Sequence, residues 1–311
     1  MHPAYSVVFF TTATGAGYGL LALLGFGVAL GRIEGGFWFG FTALGLALGL
    51  VAAGLLSSTG HLGRPERAWR AFSQWRTSWL SREGVSAVAT FMPAGLFGIG
   101  WVLMGSEGPW VATAGALSAL GAVVTVSTTA MIYASLKPIA QWHSPFTLPN
   151  YLVFSAMTGS ALLAALLHAW QRPSWPLLVA ALGLTLAGWV LKRLTWRRND
   201  RLVPITTLNS ATGLAGGTVR SIEWPHTEEN FVLKEMGYRV ARKHAARLRR
   251  IAQLLAFALP AILLALALFA PQPLAAALCL VAAPLQLAGM LVERWLFFAE
   301  AKHTVALYYG R

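Results

Sequence analysis

His61 and Glu83 are the residues of this 311-residue chain whose type and spacing best fit proton chemistry. An imidazole titrates near neutrality, and a carboxyl group moved out of water can be brought into the same range. The two stand at either end of one charged segment, HLGRPERAWRAFSQWRTSWLSRE, that separates two long apolar runs. If those runs cross a bilayer, both groups arrive at the same depth. An ionisable group at that boundary is either a snorkelling anchor or a participant in proton transfer. Within the segment, Pro65 suits the first turn of a helix. Trp69, Phe72, Trp75 and Trp79 recur at helical spacing, with Arg67, Arg70 and Arg76 interleaved. That pattern predicts a short amphipathic helix in the interface, an aromatic belt with lipid-pairing arginines.

The elements that must position these groups follow from hydropathy. Hydrophobic residues make up 56% of the chain and charged ones 11%, with a mean hydropathy of +0.59. A soluble domain carries about 25% charged residues, and its core cannot bury this much apolar surface. A spanning helix needs roughly 20 apolar residues. Stretches free of Asp, Glu, Lys and Arg fall near 6–31, 37–60, 84–105, 110–135, 150–170 and 174–191, and a longer one covers 251–292. Pro271 and Pro273 split the last into two. The expectation is an all-α integral membrane protein of about eight spans forming one transmembrane domain, 1–311, with no soluble domain left over. Met1 to Gly31 has no Lys or Arg, so the start of the chain reads as the first span rather than a cleaved signal. Gly15, Gly17, Gly19, Gly45 and Gly49 are the candidates for close helix contacts. The single cysteine, Cys279, lies in an apolar run and offers neither a disulfide framework nor a metal cluster.

Charge sets the expected orientation. The loops after spans two, four and six, taken as 61–83, 136–149 and 193–250 with Lys192 at the edge of the last, carry 5, 1 and 13 Lys+Arg. The opposite loops carry only Arg32 and Arg172. The positive-inside rule puts the basic loops and both termini in the cytoplasm. The net charge of +13 is then topology plus a docking face, and no nucleic-acid motif accompanies it. In the long loop, Thr227–Glu228–Glu229–Asn230 has N-cap character. Phe231, Val232, Met236 and Val240 then oppose Lys234, Arg239, Arg242, Lys243, Arg247, Arg249 and Arg250, a basic amphipathic helix for anionic lipid or an acidic partner. The glycines Gly213, Gly216 and Gly217 lack the Lys-Ser/Thr of a phosphate-binding loop and read as an ordered loop. Three prolines stiffen the turn from Lys137 to Asn150, which holds Trp142 and His143. Glu293 and Arg294 near the inner end of span eight read as a mutual pair or as snorkelling anchors.

HLGRPERAW closing span two, SWLSRE opening span three and the terminal FFAEAKHTVALYYG together resemble the DMSO-reductase membrane-anchor family along most of the chain. MIYASLKPIAQWHSP and WPHTEENFVLKEMGYRVARKHA are most similar to the anchors of cytoplasmic sulfite dehydrogenases within it. The resemblance implies the third member of a three-protein complex in the bacterial inner membrane. A molybdopterin catalytic subunit and an iron–sulfur subunit would dock on it, and the anchor would exchange electrons with a quinone, ubiquinone or menaquinone. It also implies that His61 and Glu83 line the quinone site, and Arg82 stands where the family varies; from the residues themselves, Arg64 and Trp79 are candidates to hold or wall the head group. The chemistry agrees, because quinone interconversion moves two protons with two electrons. No metal ligands are expected on this chain, so electrons must arrive from a partner meeting the basic loops.

Sulfite oxidation with quinone reduction is the leading expectation, and quinol oxidation coupled to reduction of DMSO or a similar acceptor is its sister. A transporter would need ionisable groups near the midplane and internal repeats, and the sequence displays neither. A b-type cytochrome would need paired axial histidines, whereas His61, His143 and His168 offer no pair at matched depth.

Overall fold

The computed structural model describes residues 5–60, 64–203, 206–214, 216–220, 222–223 and 243–305. Among the described residues, eight helices are long and apolar enough to cross a membrane: α1 Tyr5–Ala29, α2 Phe37–Thr59, α3 Trp79–Leu103, α4 Pro109–Ala134, α5 Thr147–Ala169, α6 Trp175–Asp200, α7 Ala245–Ala267 and α8 Gln272–Ala299. No strand occurs among the described residues. This meets the rule that a chain in lipid must satisfy its backbone within each segment.

The helices outrun the uncharged stretches at their ends on the basic side. α3 begins at Trp79, α6 runs on through Lys192 and Arg193 to Asp200, and α7 already begins at Ala245. A charged residue does not stop a helix where its side chain finds a partner or water. α6 thus takes in 193–200 and α7 takes in 245–250 of the loop expected over 193–250, and α3 takes in 79–83 of the hairpin expected over 61–83. Most of the amphipathic segment foreseen beyond Thr227 lies outside the described residues, as do Thr227–Asn230 and the last residues of the terminal motif.

α1 and α5 form the centre, with 72% of each apolar window buried against 28–44% in the other six. α1 packs on α2, α4 and α5, and α5 packs on α6 and α8. The contact between α1 and α5 depends on small residues. A Cβ at Gly19 would fall 1.9 Å from the Ser155 carbonyl oxygen, and one at Gly159 2.3 Å from the Gly19 carbonyl carbon. Gly17 makes a similarly close approach to Ala47 of α2, whereas Gly15, Gly45 and Gly49 face open space. Two of the five expected contact glycines therefore sit at helix crossings, while Gly25, Gly54, Gly159 and Gly289 do so unforeseen.

The pairing order repeats. α1–α2, α1–α4 and α3–α4 in the first half correspond to α5–α6, α5–α8 and α7–α8 in the second. α3 and α7 each contain a π-helical stretch, Gly98–Leu103 and Leu254–Ala258. In α7 the cause is near at hand: Pro260 has no N–H for the carbonyl of Ala256, and Gln286 of α8 donates to that carbonyl instead at 3.3 Å. A repeat of helix pairing thus exists although sequence self-similarity does not reveal it.

Candidate functional site

Glu83 sits in the second turn of α3, whose first turn is capped by the Ser78 hydroxyl. Only 6% of Glu83 is exposed. Thr129 of α4 donates its hydroxyl to Glu83 Oε1 at 2.5 Å, and the same hydroxyl oxygen lies 3.0 Å from the Thr125 carbonyl. One hydroxyl proton thus has two acceptors in reach. With Glu83 ionised, Thr129 donates to the carboxylate. With Glu83 protonated, the carboxyl can donate to Thr129, whose own proton turns to Thr125. The pair suits a group that exchanges a proton.

Farther along α3, Ser86 meets Thr128 at 3.0 Å and Thr90 meets Thr125 at 3.2 Å, so a ladder of hydroxyls joins α3 to α4. Tyr18 of α1 and Tyr133 of α4 are buried within electrostatic reach of Glu83, and the Tyr18 hydroxyl lies beside Thr125 of the same ladder. Nothing in the sequence singles out Thr129, Tyr18 or Tyr133, because each looks like ordinary helix filler until the helices are packed.

The other expected site residues separate. Trp79 is four residues before Glu83, on the same face of α3, and half-buried. Arg64 is exposed where the chain enters the helix that begins at Pro65. His61 lies outside the described residues. Arg82 does not turn to the carboxylate: its guanidinium bonds the carbonyls of Trp75 and Arg76 at 3.0 and 2.6 Å and stacks 4.2 Å from Trp79. It clamps the linker that delivers Glu83.

The interfacial segment does form a helix, Pro65–Gln74, but a 3-10 helix rather than an α-helix, and Trp75 and Trp79 fall beyond its end. Trp69 within it and Trp75 just after it are uncovered, by 66% and 53%. Phe72 leans on Gly84 of α3, where a Cβ would stand 3.0 Å from the ring.

A second polar centre occupies the same end of the bundle. Lys192 of α6 contacts Glu293 of α8, and Arg294 Nε approaches the other carboxylate oxygen at 3.0 Å. All three are at most 4% exposed, so the mutual pairing foreseen for Glu293 and Arg294 holds while snorkelling does not. Lys192, which the linear sequence places at the edge of a loop, belongs to this buried cluster. The spacing of Lys192, Thr195 and Trp196, all buried on one face of α6, was the available signal. Arg249, expected on a docking face, instead bridges Asp200 at 2.8 and 2.9 Å and Glu300 at 2.7 Å, tying α6, α7 and α8 together.

A family model described as DMSO reductase anchor subunit (DmsC) matches residues 1–310. The chain belongs to that family. A sulfite dehydrogenase subunit from Allochromatium vinosum is 35% identical over 330 residues, covering 99% of each chain. This member of the DMSO reductase anchor family is therefore a multi-pass membrane subunit, as the motifs implied. Histidine geometry also weighs on its redox equipment. His143 precedes α5 and His168 lies in its last turn, about 33 Å apart along a 23-residue helix, so the two cannot ligate one haem. No group of three or more metal-binding side chains occurs among the described residues.

Proposed function

We propose that this anchor subunit exchanges electrons between an iron–sulfur partner and a membrane quinone, within a molybdopterin enzyme that oxidises sulfite and reduces the quinone. Membership of the anchor family and the likeness to a sulfite dehydrogenase subunit support the complex and its substrate. The observation that carries the quinone site is Glu83, a buried carboxyl at the basic end of α3 held by a hydroxyl that serves both of its protonation states.

In this reading the basic loops face the cytoplasm and meet an acidic face of the iron–sulfur subunit. Electrons reach the quinone from that subunit, whose clusters supply one-electron transfer. Glu83 hydrogen-bonds a quinone oxygen and passes it a proton, His61 serves the other side of the head group, and Trp79 with Arg64 wall its entrance. Two protons and two electrons convert quinone to quinol.

Replacing Glu83 by Gln, or His61 by Gln, is expected to lower sulfite-dependent quinone reduction by about 100-fold or more, the scale of a lost general acid. Dye-linked sulfite oxidation by the same complex should continue. Full quinone-linked turnover in both variants would refute the site. Net flow from quinol to a sulfoxide in the same membranes, without sulfite oxidation, would favour the sister reading.

A further inference from the structure

Arg294 stands between two small polar cavities. One opens at the basic end of the bundle past Gln141, Asn199 and Glu300 and reaches Lys192, Glu293 and Arg294. The other lies deeper among α1, α5 and α8, lined by Thr11, Thr12, Tyr151, Ser155, Thr158 and Arg294. Each has room for at least one water molecule. Along this line Asn150 Oδ1, Arg294 Nη1 and the Tyr151 hydroxyl are buried without a well-formed hydrogen bond, the last two on side chains that lie against each other. Buried polar atoms beside a cavity of water size are where proteins hold water. The track also approaches the first site. Arg294 lies 4.1 Å over the ring of Tyr151, Tyr151 stacks on Tyr133 at 6.0 Å, and Tyr133 is one turn beyond Thr129, which holds Glu83.

We infer that the Lys192–Glu293 pair is a proton-transfer element on a hydrated route from the basic end of the bundle to Glu83, feeding the quinone site proposed above and resting on that reading. Three observations carry it: the two cavities, the line of buried polar atoms, and the charge of the cluster. Two cations face one carboxylate within this buried cluster, a net excess of one positive charge.

Arg294 cannot release that charge, but Lys192 can. The ammonium proton moves from Lys192 Nζ to Glu293 Oε1, the neutral carboxyl turns about its Cγ–Cδ bond, and the same O–H then gives its proton to water on the Tyr151 side. A neutral lysine beside the Glu293–Arg294 pair remains, and it regains a proton from the mouth. The surroundings do not supply a competing partner. Asn150 and Thr195 are neutral and bond each other at 2.8 Å, and Tyr133 and Tyr151 are aromatic walls. Nearer the mouth Arg249 bridges two carboxylates, Asp200 and Glu300, and leaves one excess negative charge there.

The test uses the complete complex in liposomes with a short-chain quinone. Lys192→Met leaves a neutral Glu293–Arg294 pair and so removes the excess charge without orphaning an ion. Lys192→Arg keeps the charge but holds its proton. Both variants are expected to slow quinone-coupled turnover, and the proton uptake that accompanies it, by at least about tenfold. Dye-linked activity and the quinone KM should be unchanged. Parental turnover in Lys192→Arg would overturn the inference, since a fixed charge would then suffice, and parental turnover in Lys192→Met would overturn it as well. Glu83→Gln run alongside separates the two claims. A slow Glu83→Gln with fast Lys192 variants refutes the route alone, whereas a fast Glu83→Gln refutes the quinone site.

Discussion

At Glu83 the decisive partner is a threonine one helix away. Removing the Thr129 hydroxyl leaves a buried carboxyl without its hydrogen bond, which costs about 1.5–3 kcal/mol when the acceptor is charged. Thr129→Val is therefore expected to lower both the thermal stability of the complex and its quinone-linked rate, and Thr129→Ser to restore both. A Thr129→Val protein indistinguishable from the parent in both assays would show that Glu83 draws no support from this bond. Glu83 itself is legible in the sequence because it is a charged residue opening an apolar run. Thr129 is not, since threonines are common in membrane helices and their hydroxyls mostly bond the preceding turn, as Thr11, Thr12 and Thr14 do here. Lys192 escapes a linear reading for a related reason. Charge there marks the end of the hydrocarbon-spanning stretch, whereas a buried cation with a carboxylate partner can continue it.

At the scale of helices, backbone proximity sets the architecture, and lipid offers no hydrophobic drive to replace it. Gly19 and Gly159 let α1 and α5 touch. Gly19→Ala would force its Cβ into the Ser155 carbonyl, so α1 must shift away from the centre of the bundle. The expected loss of stability is about 1–3 kcal/mol, the range for overpacking a tight interior. Gly45→Ala, which meets nothing within 4 Å, is expected to be neutral or to stabilise α2 slightly. Unfolding temperatures of the two variants in detergent provide the comparison, and equal values would deny the close crossing its role. Both glycines are candidates in the sequence on equal terms. Which of them faces a neighbour depends on the rotation of each helix about its axis, and composition does not contain that angle.

The spans among the described residues are even in number, and the basic segments that join them fall at one end. Cys279 is fully buried, so the native chain offers a quiet background for labelling. Cysteines introduced at Gln74 and at Gly105 are expected to react with a membrane-impermeant maleimide from opposite sides, Gln74 only in inside-out vesicles and Gly105 only in right-side-out ones. Labelling of Gln74 from the outer side would reverse the orientation and remove the docking face for a cytoplasmic partner.

The linear order of residues was enough to establish the membrane class, the span count and the family, because length, hydropathy and the motifs around His61, Glu83 and the long basic loop are local properties of the chain. Tertiary structure alone decided which polar side chains meet. The Thr129–Glu83 bond, the Lys192–Glu293 pair and the Arg249 clamp join residues 46 to 101 positions apart. Such pairings are set by the packing angles and rotations of eight helices, and it is the cost of leaving a charge unpaired in a dry interior that selects them.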